Sequence, residues 1–592
     1  MTKKILKGGE YLIHDVSCGE IFTPEDFSDE QRQIGATTEQ FVANEIMPHL
    51  DEIDAQNFDL VVAGMHKCGE LGLLMIDAPE EYGGLELDKA TSMLVSEKIA
   101  PSGAFSVVYA CHTGIATLPL VYYGTPQQKQ RYLEKLISGQ WCGAYCLTEP
   151  GSGSDALGAR TTATLSADGK YYLLNGTKQY ITNGGFARLF IVFAKIDKEH
   201  FTAFLVEKDF AGLIVGNEEK KMGIKGSSTT QIILDNCRVP VENLLGEIGK
   251  GHKIAFNVLN VGRFKLGACV TGAAKHALLE GVKYANLRKQ FGKPIGQFGA
   301  IQEKIADLTA ATFAAESLIY RLAGLLDDKL ATIDKSIDNY YEEYQKGIEE
   351  YSPECAIAKV YCSEVLAQVV DEVVQIHGGY GFCSEYPAER FYRDERINRI
   401  FEGTNEINRI LIPSMILRKS MKGELPLQAE AMKAFEALMT PSFEEIDETL
   451  LFAAEKVLLK NLKTLFLILA GVGVRKHLTR LADEQEILMA AADVAIQIFA
   501  AESAVLRAEK IFPAAGAEKQ QLLKAAVKIL SFNAAELAGS AARKAAFYLE
   551  EGDNLNMLLS GVRRFSKYDA SGLLQAKRTL AAAALEEEKY LF

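Results

Sequence analysis

The chain has 592 residues, enough for several domains with large buried cores. Its hydrophobic share of 48% and charged share of 24% are those of a globular protein, and a net charge of −14 argues against a nucleic-acid surface. Ten cysteines lie scattered from Cys18 to Cys383 with no CxxC pair. That pattern suits reduced thiols in a cytoplasmic protein, not a disulfide framework or a zinc site. No apolar run at the N-terminus resembles a signal peptide. The longest apolar run, Leu465 to Val474, is too short to cross a bilayer, so a soluble protein with at most peripheral membrane contact is expected.

In chain order, a polar N-terminal lead (1–30) precedes a helical domain (31–144), broken at Pro79-Glu-Glu-Tyr-Gly-Gly84 and Gly124-Thr-Pro126. The period then changes. Thr161 to Asp168, Tyr171 to Leu174, Leu189 to Ile196, Phe201 to Glu207 and Thr229 to Leu234 read as short strands. Turn signals at Asp168-Gly169, Asn175-Gly176 and Asn183-Gly184-Gly185 divide them, predicting a small antiparallel β domain over 145–248. Helical period returns for a bundle (249–424) and a C-terminal helical domain (430–592). The fold class is therefore mainly α with a small β domain.

The last third repeats an earlier part of the chain. Ala306-Asp307, Phe313-Ala-Ala-Glu-Ser317 and Arg321 recur 186 residues later as Ala492-Asp493, Phe499-Ala-Ala-Glu-Ser503 and Arg507. The second copy lacks the glycine-rich stretches of the first, which points to packing rather than catalysis.

Five stretches carry chemistry. In Arg399-Ile-Phe-Glu402-Gly403-Thr404-Asn405-Glu406, Glu402 falls in a short connector before a helix that Thr404 caps and whose first turn holds Glu406. By itself this stretch reads better as a solvated carboxylate at a helix–helix turn, and what else the chain contains reverses that reading. Tyr145-Cys-Leu-Thr148-Glu149-Pro150-Gly-Ser-Gly153-Ser154-Asp155 can cradle an anionic ligand on exposed N–H groups, or serve as an inter-domain loop. Tyr180 and Thr182 share one side of a strand, as a ligand platform or an ordinary strand end. Arg288-Lys-Gln-Phe291 and Gln375-Ile-His-Gly378-Gly379 suit a diphosphate, or a helix C-terminus and its cap.

Taken together and in this order, the stretches over about residues 35 to 420 resemble the acyl-CoA dehydrogenase family. The length and helical tail make the very-long-chain branch the closest match. The resemblance implies an α domain, a β domain and a helical bundle around FAD, with Tyr145, Leu147, Thr148, Gly153, Ser154, Tyr180 and Thr182 near the flavin ring. It implies Arg288, Phe291, Gln375, Gly378 and Gly379 at the adenosine diphosphate, partly across a dimer interface, with Thr404 and Glu406 as further flavin contacts. Ser154, Asn260, Arg263 and Gly403 match substrate positions, and Glu402 matches the catalytic base. Some relatives place the base where this chain has Gly262, which cannot serve. The implied activity is conversion of long-chain acyl-CoA to trans-2-enoyl-CoA, with electrons passed to electron transfer flavoprotein. Small residues at the expected pocket floor (Ser106, Val107, Ala110, Cys111) suit long chains, and the tail suits a homodimer. An acyl-CoA oxidase, or a non-catalytic assembly protein on the same fold, is the alternative.

Overall fold

The computed structural model describes residues 5–440, 447 and 449–592, so residues 1–4 of the lead and 441–446 and 448 of the tail lie outside the described residues. The principal helices before the sheet are α1 (Asp29–Phe41), α2 (Phe58–Glu70), α3 (Lys89–Ile99), α4 (Ala104–Ala110) and α5 (Pro126–Ile137). The sheet contains β1 (Gly143–Cys146), β2 (Thr162–Leu165), β3 (Tyr171–Thr182), β4 (Leu189–Ile196), β5 (His200–Glu207), β6 (Leu213–Glu218), β7 (Thr229–Pro240) and β8 (Leu244–Leu245). The bundle follows with α6 (Gly251–Leu287), α7 (Gly299–Leu330), α8 (Ser352–His377), α9 (Pro387–Glu395) and α10 (Asn405–Met421). The tail begins with α11 (Leu427–Met439), α12 (Ala453–His477), α13 (Gln485–Ile511) and α14 (Ala517–Leu549).

The sheet order is β6-β7-β3-β2-β4-β5-β8, with β1 also on β4. Most pairs are antiparallel, but β4 takes β1 and β2 as parallel neighbours. After the β2–β3 hairpin the chain reverses once more, so β4 returns alongside β2 in its own direction. Strand β4 is buried on both faces, which explains its unbroken apolar run: Phe190 and Val192 face the sheet's own core, while Ile191 and Phe193 join the main helical core.

The Asn175-Gly176 signal does not divide strands. Strand β3 runs through it for 12 residues, with a register shift between Leu174 and Gly176. A Cβ on Gly176 would lie 2.4 Å from Thr161 Oγ1, and Asn175 Oδ1 accepts from Asn236 N across the ladder at 2.9 Å. The pair marks a bulge forced by close packing. Nor is the N-terminal lead merely polar. Tyr11 and Leu12 are buried, with the Tyr11 ring edge-on to Phe499 at 4.8 Å and its hydroxyl donating to Ala495 O.

The internal repeat packs on itself. Arg321 Nη2 pairs with Glu502 Oε2 at 2.8 Å, and Arg507 Nη1 with Glu316 Oε2 at 2.6 Å. Since Glu316 and Arg321 recur as Glu502 and Arg507, the two bridges are equivalent, as across a two-fold axis. Among the described residues, three helical stretches (Ala104–Tyr123, Ala453–His477 and Gln485–Ala514) are long and apolar enough to cross a membrane, which the short run at 465–474 had not suggested. The apolar 18-residue window of each is buried within the protein, 83%, 61% and 83% in that order, so its apolar surface is largely spent on the core.

Candidate active site

Glu402 sits in the connector between the 3-10 turn Arg396–Arg399 and α10, whose Thr404 Oγ1 accepts from Ile407 N at 3.2 Å. Glu402 and Gly403 both adopt left-handed backbone, φ 57° and 79°. That conformation costs a glutamate free energy and needs support from its surroundings. Asn408 supplies it: its Nδ2 donates to Gly403 O at 2.8 Å, Thr404 O at 3.0 Å and Glu402 O at 3.3 Å. Arg263 Nε donates to the same Glu402 carbonyl at 3.3 Å.

The side chain points into the protein, where Oε2 is buried without a hydrogen-bond partner. Burial pushes the carboxyl up to about 7, against the opposing pull of Arg263 and Lys359. Gly262 on α6 makes the room: a Cβ there would lie 2.4 Å from Glu402 Oε2. The carboxylate occupies the space that a side chain at position 262 would take.

A tunnel leads away from this carboxylate. Gly262, Leu266, Cys269, Val270, Ala273, His276 and Ala277 line it along one face of α6. From Gly262 to His276 is 14 residues, or about 21 Å at the helical rise. Ser106, Val107, Ala110 and Cys111 line it from α4 and the turn beyond, as the sequence suggested, and Val370 and Phe391 lie on α8 and α9. Thr182 joins Glu402 at its β-domain end. The wall is mostly apolar and small, a shape suited to an unbranched hydrocarbon.

The other predicted residues fall into groups. Tyr145 and Leu147 are buried, and Thr148 O accepts from Gln179 N at 2.9 Å, which ties the loop after β1 to β3. The buried Lys178–Glu149 pair, 2.7 Å, anchors that loop from beneath, leaving Gly153 and Ser154 open. Tyr180 is 65% exposed, with φ 57° at a bulge between Lys178 and Ile181 that strand periodicity could not reveal. Arg288 and Phe291 follow α6 on a small hairpin, and the Arg288 guanidinium lies over the Tyr380 ring at 5.4 Å. That contact brings Arg288 to the exposed end of α8, where Gln375 lies in the last turn and Gly378 and Gly379 follow it, and a Cβ on either glycine would meet nothing within 4 Å. Glu406 is exposed in the first turn of α10. Asn260 and Arg263 are buried and bonded to each other at 2.9 Å, so both support the Glu402 connector.

Sequence reasoning missed Lys359, Asn405 and Asn408. Lys359 is fully buried on α8, and its Nζ donates to Asn405 Oδ1 at 2.6 Å. It also missed the triad at the tunnel wall, in which Asp77 bridges Lys89 and Lys265. No motif marks Lys359 or the Asp77 triad, because their partners are distant in the chain, while Asn408 reaches back only to the connector before its own helix.

Family descriptions match in the same order along the chain. The acyl-CoA dehydrogenase N-terminal domain matches residues 28–140, the middle domain 144–237 and the C-terminal domain 249–417, with a further C-terminal domain of the same family at 461–564. The chain belongs to the acyl-CoA dehydrogenase family. It is 48% identical to a probable acyl-CoA dehydrogenase of Bacillus subtilis over 596 residues, covering 100% of each chain. It is 41% identical to the very long-chain specific mitochondrial enzyme of Mus musculus over 353 residues, 58% of this chain and 51% of that one. Among solved structures, an acyl-CoA dehydrogenase complexed with FAD from Bacillus anthracis superposes with TM-score 0.97 at 48% identity, covering 99% of this chain and 100% of that one. Butyryl-CoA dehydrogenase from Megasphaera elsdenii reaches 0.60 at 35%, covering 66% and 99%.

Proposed function

We propose that this chain is a FAD-dependent acyl-CoA dehydrogenase that introduces an α,β double bond into long-chain acyl-CoA thioesters, giving trans-2-enoyl-CoA. The observation that carries the reading is a buried carboxylate, raised to about 7, at the head of an apolar tunnel about 21 Å long. Glu402 takes the α-proton at its unpartnered Oε2. Its raised proton affinity places it near working pH, as a general base requires. The tunnel holds the acyl chain and excludes water around the base. Its length exceeds half a bilayer's hydrocarbon thickness, roughly 15 Å, which supports long chains.

FAD, when bound, supplies the hydride acceptor. The residues present fit it: Tyr180 offers an exposed aromatic face beside Thr182 and the open Gly153 loop, with Tyr145, Leu147 and Thr148 behind. Arg288, Phe291, Gln375, Gly378 and Gly379 form a second open surface suited to the diphosphate. Phe291 at 93% exposure, Phe382 at 88% and Leu287 at 79% on that surface support a homodimer in which a second copy covers them. Electron transfer flavoprotein is the proposed acceptor. Ten free cysteines support a reducing, cytoplasmic setting.

The test is an anaerobic titration of the yellow holoenzyme with palmitoyl-CoA, then octanoyl-CoA. Bleaching by the first and less by the second is expected, with no bleaching of flavin-loaded Glu402→Gln. Equal bleaching of that variant would overturn the assignment of the base.

A further inference from the structure

Lys359 is a buried cation without an ion pair among the described residues. Its Nζ is held at 2.6 Å by Asn405 Oδ1. The amide is oriented by its other end, where Asn405 Nδ2 donates to Ser363 Oγ at 3.1 Å and Glu364 Oε1 at 3.0 Å. Asn405 opens α10 directly after the Glu402-Gly403-Thr404 connector. An ammonium is therefore fixed behind the catalytic loop by a side chain of that loop's own helix.

We propose that Lys359 is a positioning residue for the reaction, its buried ammonium keeping Glu402 able to carry negative charge inside an apolar site. The inference rests on reading Glu402 as the base. Several charged and titratable groups surround the two residues. Glu402 faces Arg263 from α6, Lys359 from α8, and Cys111 and Tyr145, whose protons burial holds on. Lys359 faces Glu402, Arg263, Glu364 on its own helix and Glu406 on α10. Arg263 directs its Nε to a backbone carbonyl and its Nη1 to Asn260, so its hydrogen bonds brace the loop. Burial pulls the Lys359 ammonium down to about 7, against the opposing pull of Glu402.

The experiment is the pH profile of kcat/KM for acyl-CoA, measured on holoenzyme. Lys359→Met should move the acid limb upward by about one pH unit and keep the alkaline plateau, as expected for loss of a nearby opposite charge. Lys359→Arg should leave the limb where it is. A uniform loss of activity with an unmoved limb would assign Lys359 a structural role alone and overturn the proposal. If Lys359→Met does not retain flavin, Lys359→Gln removes the charge while keeping a polar end for Asn405 Oδ1, and an unmoved limb there overturns it equally. An active Glu402→Gln would sink the base assignment itself. An inert Glu402→Gln with an unmoved limb in the lysine variants sinks only the role of Lys359.

Discussion

Gly262→Ala tests whether the tertiary contact between α6 and the Glu402 connector governs catalysis. Alanine in place of a mid-helix glycine ordinarily stabilises by about 1 kcal/mol. Here the new methyl would lie 2.4 Å from Glu402 Oε2 and 2.8 Å from its Cδ. Non-bonded carbons settle near 3.5 Å, so the carboxylate must retreat by about 1 Å. Because the displaced group is the free end of a side chain, the fold yields cheaply. The chemistry does not: a 1 Å misplacement costs about a hundredfold in rate, or about 2.7 kcal/mol of barrier. Stopped-flow reduction by palmitoyl-CoA should show this loss, with flavin content unchanged and Tm equal to or slightly above wild type. Adding Glu402→Asp, one methylene shorter, should recover part of the rate in the double variant relative to Gly262→Ala. Wild-type turnover by Gly262→Ala would refute the packing of base against helix.

The raised proton affinity of Glu402 has a second consequence. The folded value of about 7 exceeds the ordinary 4.5, so the folded chain binds the extra proton between those limits and loses stability as pH rises through them. Glu402→Gln should therefore unfold several degrees above wild type at pH 8 and at nearly the same temperature at pH 4.5; a gap independent of pH would contradict it. Arg321→Met removes one of the two cations on buried Glu502 and leaves Lys463 to pair with it, so about 1.5–3 kcal/mol of stability should be lost, read as a lower Tm. Ala273 lies about 16 Å along α6 from Gly262, so Ala273→Phe should raise KM for palmitoyl-CoA and spare butyryl-CoA. Equal effects on both thioesters would mean that the acyl chain lies elsewhere.

What the sequence determined by itself is local. Strand β4 was legible to the residue because both of its faces are apolar. The Thr404 cap and the Glu402 connector were legible because a cap bonds three residues away. The reciprocal bridges of the repeat could be anticipated as equivalent residues, though not as partners. The first bulge of β3 was not legible, since a turn signal and a bulge use the same Asn-Gly chemistry and only Thr161 and Asn236 opposite decide between them. The tertiary structure alone decided the surroundings of Glu402, the proposed base. Its proton affinity is raised by burial in the space left at Gly262 and held back by Arg263, 139 residues away, and by Lys359 on another helix. Desolvation is a property of enclosure, and enclosure is made by residues that sequence order keeps apart.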